Sequence, residues 1–253
     1  MSESLAGKIV FITGAASGIG KATALKLAKL GANLILTDVV EIEYEVAFPE
    51  SAQQSDLSPI ITAELDVSNE AQCQLVVKEV VQYYGRIDHV FNCAGINPTA
   101  YSILELPDGY FDKLWSVNVK GTYNVTKAAL PHMKEHAGCS FVNVSSIMGQ
   151  RPAARVAAYC ATKYAVMGFS KSMALELGPK GIRVNIVAPG FIDTPTNNSV
   201  VAGPDAVKES EASVSLGRMG TAEEVADVVA FLMSKEARYM NGSEVSINGG
   251  LKY

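Results

Sequence analysis

Short apolar runs recur along the chain, and each ends at a glycine, a proline or a polar residue. Their hydrophobicity is continuous rather than alternating, which is typical of strands buried on both faces of a parallel sheet. We predict strands at residues 8–12, 33–37, 60–65, 88–92, 139–145, 182–188 and 243–247.

Between these strands, apolar residues recur at the spacing of one helix face. They predict helices at residues 19–30, 69–84, 108–136, 157–178 and 221–234. The polar stretch around Pro49 and Pro59 is predicted to be a loop or a broken helix. Alternation of strands and helices predicts an α/β fold, a seven-stranded parallel sheet with helices on both faces. No linker or charge block interrupts the pattern, so we expect one domain over residues 1–253.

A glycine-rich turn lies between the first predicted strand and the first predicted helix, at Thr13-Gly-Ala-Ala-Ser-Gly-Ile-Gly20. Gly14, Gly18 and Gly20 allow a tight turn and a close approach of the backbone to a pyrophosphate, which the free N–H groups of the helix start would bind. The spacing differs from the usual Gly-x-Gly-x-x-Gly. Its strand–turn–helix context, with Asp38 closing the second strand, predicts dinucleotide binding.

The charge of the chain is distributed unevenly. The formal net charge is −5, and the span between Lys29 and Lys78 holds nine acidic residues and no basic one. Asp38, in this span, can accept hydrogen bonds from both hydroxyls of an adenosine ribose. A 2′-phosphate there would be repelled and would find no arginine. We therefore predict NAD as the cofactor, with NADP disfavoured.

Several classes of protein are disfavoured by the same sequence. An acidic chain with a pI near 5.3 offers no basic footprint for nucleic acid. No apolar run reaches the roughly 18 residues that would indicate a membrane helix. The N-terminus lacks the apolar core of a signal peptide, so we expect a cytoplasmic protein.

We expect no metal site. The four cysteines lack metal-ligand spacing and are interpreted as reduced thiols. His132 and His136 would share one face of a predicted helix but have no third ligand, so they are interpreted as a solvated helix C-terminus.

Candidate chemistry lies on the predicted helix 157–178. Tyr159 and Lys163 are four residues apart and share one helix face. A lysine about 4 Å from a phenolate contributes roughly 4 kcal/mol of gross attraction at an effective dielectric near 20. We therefore expect Lys163 to lower the pKa of Tyr159 toward neutrality, so that the tyrosine can exchange a proton with an alcohol or ketone oxygen.

The same spacing occurs a second time, at Tyr123 and Lys127. Ser146 lies thirteen residues before Tyr159, at the carboxyl end of a predicted strand, where ligands bind in open α/β sheets. The residue at the same offset before Tyr123 is Tyr110, which offers no such group. The sequence therefore favours Tyr159 and Lys163 as catalytic and the other pair as a helix-surface contact.

Taken together, seven segments resemble the short-chain dehydrogenase/reductase family over nearly the full length of the chain. They are Thr13-Gly-x-x-x-Gly-Ile-Gly20, Asp66-Val67, Asn92-Cys-Ala-Gly95, Asn118, Ser146, Tyr159-x-x-x-Lys163 and Pro189-Gly190. The resemblance implies a Rossmann-type doubly wound fold. It also implies an NAD-linked oxidoreductase that moves a hydride between nicotinamide and a secondary alcohol or ketone.

The resemblance also implies a role for each matching residue. Ser146 would hold the substrate oxygen, Tyr159 would be the general acid/base, Lys163 would bind the nicotinamide ribose, and Asn118 would support a water in a proton relay. Cys93 stands where many relatives carry a second Asn. The implied cofactor contacts are Gly14, Ser17, Gly18, Ile19, Gly20, Asp38, Asp66, Val67, Asn92, Ala94, Gly95, Tyr159, Lys163, Pro189, Gly190, Ile192 and Thr194.

Three stretches are expected to surround a small, largely apolar substrate: Ile96–Leu104, Met148–Ala158 and Phe191–Gly217. The last resembles the family's mobile substrate lid, and its valines suggest an apolar lining. Arg155 could meet an anionic group on the substrate, although a solvated arginine is favoured on base rates.

Two other activities stay open at this level, a cofactor-retaining epimerase or dehydratase and a non-catalytic nucleotide sensor. The complete Ser, Tyr and Lys set favours the oxidoreductase. By resemblance, the predicted helices 108–136 and 157–178 would form the faces of a homodimer or homotetramer.

Overall fold

The computed structural model describes residues 5–42, 60–97, 99–195, 197 and 203–251. Its strands are β1 (Ile9–Thr13), β2 (Asn33–Asp38), β3 (Ile60–Glu64), β4 (His89–Asn92), β5 (Ser140–Val144), β6 (Arg183–Pro189), β7 (Ile192–Asp193), β8 (Gly220–Thr221) and β9 (Glu244–Ile247). Seven of them form one parallel sheet in the order β3-β2-β1-β4-β5-β6-β9, and β7 pairs with β8.

Helices connect these strands. They are α1 (Gly18–Lys29), α2 (Glu70–Tyr84), α3 (Tyr110–Trp115), α4 (Thr122–Ala129), α5 (Ala157–Leu177), α6 (Pro204–Ser213) and α7 (Ala222–Met233). A π-helical segment, Ser116–Gly121, joins α3 to α4, and short 3₁₀ turns follow at Leu130–His132, Ile147–Gly149, Gly178–Lys180 and Lys235–Ala237.

The sheet lies between two apolar cores, which explains its continuous hydrophobic runs. Val10 and Ile12 of β1 pack in a core with α1 and α7. Ile9 and Phe11 of the same strand pack in a second core with α2, α4 and α5. The predicted seven-stranded, doubly wound parallel fold is confirmed. The strand order reverses between β1 and β4, and the crevice at such a switch point is where open α/β sheets bind ligands.

The predicted helix 108–136 is helical without a gap from Tyr110 to Ala129, but it contains a π-helical segment and the prediction is wrong at its C-terminal end. It is divided into α3, the π-helical segment and α4, and regular α-helix ends at Ala129. Pro131 contributes to this end, because proline lacks an N–H and clashes with the carbonyl four residues before it. His136 lies in a turn with φ 56°, so it does not share a helix face with His132.

Part of the predicted acidic span lies outside the described residues. It comprises Glu43, Glu45, Glu50 and Asp56, together with Pro49 and Pro59. Among the helices that the structure describes, none is both long and apolar enough to cross a membrane.

Candidate active site

A cavity of about 610 Å³ opens at the carboxyl ends of β1, β4, β5 and β6. Every residue that the sequence assigned to catalysis or cofactor binding lines it, apart from Asn92 and Asn118. The lining members of that set are Gly14, Ser17, Gly18, Ile19, Gly20, Asp38, Asp66, Val67, Ala94, Gly95, Ser146, Tyr159, Lys163, Pro189, Gly190, Ile192 and Thr194. The topology therefore brings together residues that are far apart in sequence.

The glycine turn forms one wall of the cavity, and its shape excludes side chains. Gly14 has φ 68°, and a Cβ there would lie 2.9 Å from the Cα of Ala94. A Cβ on Gly20 would lie 2.0 Å from the carbonyl oxygen of Gly14. The backbone at these positions is thus packed against itself and the end of β4, and the N-terminus of α1 faces the cavity.

Thr13 clamps the turn to the end of β4. Its buried hydroxyl accepts the N–H groups of Cys93 (3.1 Å) and Ala94 (3.0 Å) and donates to the carbonyl of Phe91 (3.5 Å). Sequence reasoning gave Thr13 no separate role. The available signal was a hydroxyl residue closing a buried apolar strand directly before the glycines.

Asp38 joins the end of β2 to the same turn. One carboxylate oxygen accepts the N–H of Ala16 (3.0 Å), and the other accepts the N–H of Val39 (2.8 Å). The side chain also lines the cavity, as does Asp66. Among the described residues, the basic ones that line the cavity are Lys113 and Lys163, and both are remote in sequence from the end of β2.

Ser146, Tyr159 and Lys163 line the cavity from the end of β5 and from α5. Ser146 follows β5, and its hydroxyl accepts the N–H of Met148 (3.1 Å) at the start of a 3₁₀ turn. Tyr159 and Lys163 occupy the first two turns of α5 and are only 6% and 5% exposed. The Lys163 Nζ donates to the carbonyl of Val144 (3.1 Å) and lies 5.5 Å from the Tyr159 ring centroid.

Burial shifts the pKa values of both groups. Desolvation raises the pKa of Tyr159 to about 12, partly offset by a hydrogen bond with Ser146. Desolvation also lowers the pKa of Lys163 to about 8. The expectation that Lys163 lowers the pKa of Tyr159 toward neutrality is therefore wrong. Desolvation is the largest cause of the Tyr159 shift, and it disfavours the charged form of Lys163 as well.

Asn118 and Asn92 lie behind the cavity wall. The Asn118 side chain accepts the N–H of Ile96 (2.7 Å) and donates to the Ile96 carbonyl (3.1 Å) and to Thr162 (3.2 Å). Asn92 donates to Asn143 on the next strand (2.8 Å). Both side chains are buried. Asn118 holds the backbone of Ile96, which lines the cavity, and Asn92 joins β4 to β5 through Asn143.

The second Tyr-x-x-x-Lys pair lies outside the cavity. Tyr123 is 43% exposed, and Lys127 forms an ion pair with Glu70 (2.7 Å) on α2. The prediction of a helix-surface contact is confirmed in its placement.

Arg155 does not line the main cavity. It has φ 66°, donates to the carbonyl of Ala100 (3.3 Å) and pairs with Glu105 (3.1 Å), beside a small neighbouring pocket next to Tyr159. The hypothesis that it meets an anionic substrate is not supported, because Glu105 already supplies its counter-charge.

The predicted lid, residues 191–217, is not one long loop, because it contains β7 and α6. Of its valines, Val200 and Val201 lie outside the described residues, and Val214 is buried in an isolated bridge with Leu251. Neither Val207 nor Val214, the two valines of this stretch that the structure describes, lines the cavity.

Some lining residues were not singled out by the sequence. They are Val39, Leu65, Lys113, Val117, Val144, Ser145 and Ile147. Lys113 and Val117 are four residues apart on the predicted helix that carries Asn118, and the others lie next to or near motif residues, which is the signal that could have found them. Among the described residues, no group of His, Cys, Asp or Glu is placed to hold a metal ion.

Comparisons with known proteins agree with this geometry. A family model described as enoyl-(acyl carrier protein) reductase matches residues 14–252. The 3-oxoacyl-(acyl-carrier-protein) reductase of Thermotoga maritima is 41% identical over 98% of both chains. Levodione reductase of Leifsonia aquatica is 36% identical over 96% of this chain and 93% of its own.

Solved structures give the same result. A short-chain dehydrogenase/reductase from Serratia marcescens has a TM-score of 0.90 at 32% identity, covering 99% of this chain and 100% of that one. The chain is an oxidoreductase and belongs to the short-chain dehydrogenase/reductase family.

Proposed function

We propose that this chain is an NAD-dependent oxidoreductase that transfers a hydride between nicotinamide and the carbon of a secondary alcohol or ketone. The observation that carries the proposal is the joint placement of Ser146, Tyr159 and Lys163 in the cavity that the glycine turn also lines. A nucleotide site and an acid/base pair sharing one cavity are what this reaction requires.

The residues present fit a dinucleotide. The cradle at Gly14 and Gly20, which a Cβ would fill, and the N-terminus of α1 would hold the pyrophosphate. Asp38 would accept the adenosine ribose hydroxyls, and Asp66 with Val67 would flank the adenine. When bound, the nicotinamide ring supplies or accepts the hydride.

Tyr159 would donate or accept the proton at the substrate oxygen, which the Ser146 hydroxyl would orient. Because burial keeps the Tyr159 pKa high, the tyrosine is protonated at neutral pH, as an acid for ketone reduction must be. Oxidation of an alcohol needs the phenolate, which further positive charge in the cavity would favour. Lys163 would supply part of that charge, positioned by its bond to the Val144 carbonyl.

Ile96, Ile147, Met148 and Phe191 line the cavity together with Ser146. We propose a small, largely apolar carbonyl or alcohol substrate. The relatives from Thermotoga maritima and Leifsonia aquatica are named as reductases of a 3-oxoacyl group and of levodione, which supports a carbonyl as the reacting group.

The test is a panel of secondary alcohols and ketones, assayed with NAD or NADH by the absorbance of the reduced nicotinamide. A stoichiometric change in absorbance with substrate supports the proposal. Product formed without net change would instead indicate a cofactor-retaining epimerase or dehydratase, and cofactor binding without turnover a sensor.

The NAD preference rests on Asp38 and on the absence of lysine and arginine between Lys29 and Lys78. Asp38→Asn should reduce kcat/KM with NAD and narrow the difference between the two cofactors, because the carboxylate no longer accepts from the ribose or repels a 2′-phosphate. Equal kcat/KM values for NAD and NADP in the wild type would contradict the preference.

We also propose that residues 1–253 act as one catalytic domain, that residues 191–217 cover the substrate, and that the chain forms a homodimer or homotetramer. Support for the oligomer comes from aromatic side chains left exposed on α3, α4 and α5, namely Phe111, Trp115, Tyr123 and Tyr164. Sedimentation equilibrium tests it, and a monomer at micromolar concentration would contradict it.

A further inference from the structure

A buried amide on α4 contacts the segment between β3 and α2. Asn124 is 1% exposed, and its Nδ2 donates to the carbonyls of Val67 (2.9 Å) and Ser68 (3.3 Å). Its Oδ1 is buried and has no hydrogen-bond partner among the described residues. Because carbonyl oxygens only accept hydrogen bonds, the amide must point its Nδ2 toward Val67 and Ser68. This orientation leaves its own Oδ1 without a partner. A buried oxygen without a hydrogen-bond partner costs free energy. We infer that this cost is offset by fixing the segment with Val67 and Ser68.

Gly121 touches the same segment one helical turn earlier. A Cβ at Gly121 would lie 2.5 Å from Cγ2 of Val67 and 3.1 Å from its Cβ. A methyl group there would push Val67 out of place, since contacts this short require one atom to move. Gly121 and Asn124 thus fix Val67 from one side, by close approach and by hydrogen bonding.

Among the described residues, the other hydrogen bonds of this segment come from its own continuation into α2, and Val67 also packs in the apolar core that contains Val125. The N–H of Asp66 donates to Gln72, and the N–H and hydroxyl of Ser68 donate to one Asp66 carboxylate oxygen. These bonds shape the segment but do not tie it to the rest of the protein. Asp66 and Val67 line the cavity, whereas Asn124 does not.

We propose that Asn124, together with Gly121, is a positioning residue that sets the affinity for the adenine half of the cofactor by holding Asp66–Ser68 at the cavity wall. This inference rests on the proposed function, because it takes Asp66 and Val67 as the residues that flank the adenine. Asn124 does not line the cavity that contains Ser146 and Tyr159, so we expect the chemical step not to depend on it.

The chain offers two controls. Lys127 also joins α4 to α2, through its surface ion pair with Glu70. Asn185 is a fully buried amide that donates to the carbonyl of Met240 (2.8 Å) and accepts the N–H of Ser243 (3.1 Å), in β6 next to the edge strand β9. Lys127→Met therefore tests the helix contact alone, and Asn185→Asp tests the loss of a buried amide elsewhere.

The experiment measures the dissociation constant of ADP-ribose by calorimetry, and the KM for NAD and the kcat at saturating NAD. Asn124→Asp keeps the size of the side chain and removes its donors. We expect its ADP-ribose affinity to fall about tenfold, equivalent to about 1.4 kcal/mol, with a matching rise in KM and an unchanged kcat. Both control variants should bind ADP-ribose as the wild type does.

A second variant approaches the segment without touching the amide. Gly121→Ala should weaken ADP-ribose binding by displacing Val67, and it decides the matter if Asn124→Asp does not fold. Wild-type affinity in the folded variants, or an equal loss in Asn185→Asp, would overturn the inference and leave the proposed function intact. Failure of the wild type to bind ADP-ribose would sink both.

Discussion

The chain carries two Tyr-x-x-x-Lys pairs that are nearly identical as local structures. Lys163 Nζ lies 5.5 Å from the Tyr159 ring centroid, and Lys127 Nζ lies 5.6 Å from that of Tyr123. Their surroundings differ completely. Tyr159 and Lys163 are buried in the cavity wall, whereas Tyr123 is 43% exposed and Lys127 pairs with Glu70.

The comparison shows that spacing does not create the chemistry. Burial disfavours the charged form of both residues. It raises the pKa of Tyr159 to about 12 and lowers the pKa of Lys163 to about 8. At the surface, Glu70 instead raises the pKa of Lys127 and holds its charge. A functional pair is thus one in which burial disfavours the charged forms of both side chains, and which lies next to a cavity where a substrate oxygen can bind.

The largest difference between the pairs should appear in turnover. Tyr159→Phe is expected to lose about a thousandfold in kcat, because the proton donor and acceptor is removed from the reacting oxygen. Tyr123→Phe should retain wild-type kcat. Steady-state rates with the best substrate of the panel measure this, with NADH fluorescence to show that both variants still bind cofactor. Comparable kcat values for Tyr159→Phe and Tyr123→Phe would contradict the assignment of Tyr159 as the catalytic tyrosine.

The lysines should differ next. Lys163→Met is expected to lose about a hundredfold in kcat/KM, since it removes the cavity's buried cation next to Tyr159. Lys127→Met should change kcat/KM little, because its ammonium faces Glu70 outside the cavity. A strong effect of Lys127→Met on kcat would mean that the surface pair takes part in catalysis.

The pH dependence of stability provides a smaller contrast with a definite sign. The folded pKa of Lys163 is lowered from 10.5 to about 8, so between these values the unfolded chain binds a proton that the folded chain has released. Stability from this group therefore rises with pH across that window, by about 1.4 kcal/mol per unit at most.

Urea unfolding at several pH values measures this contribution as the free energy of unfolding of the wild type minus that of Lys163→Met. The difference in the free energy of unfolding should increase from pH 8 to 10.5. The difference in the free energy of unfolding between the wild type and Lys127→Met should show no such increase over this pH range, because Glu70 raises the pKa of Lys127. A flat Lys163 difference would show that the lysine keeps its charge in the folded protein.

The smallest expected effect is on the stability contributed by the surface ion pair. Lys127→Met should change the thermal midpoint only slightly, and added salt should reduce the change further, because both partners are exposed and screened. Melting curves at low and high salt measure this. A large, salt-independent loss would show that the pair is structural.

Much of the fold could be predicted because its causes are local in sequence. β1 and β6 are buried along their whole length, which requires the continuous apolar runs from which they were predicted. Gly14 and Gly20 were identified because only glycine fits where backbones touch. Ser146 distinguished the two Tyr-x-x-x-Lys pairs because the end of a strand in a parallel sheet faces the ligand crevice.

What could not be predicted depends on contacts between distant residues. The π-helical segment of the helix 108–136 contains Asn118, whose side chain is hydrogen-bonded to Ile96. Arg155 has its partner at Glu105, fifty residues away. The direction of the Tyr159 pKa shift depends on the amount of desolvation, which only the packed structure determines.

The most direct test of the central claim follows a labelled hydride. Ketone reduction with NADH deuterated at the transferring carbon, analysed by mass spectrometry, reports whether deuterium reaches the carbonyl carbon. The wild type and Tyr123→Phe should give product with one deuterium, and Tyr159→Phe should give essentially none over the same time. Unlabelled product from the wild type, or labelled product formed at the wild-type rate by Tyr159→Phe, would contradict the assignment of this cavity as the site of hydride transfer.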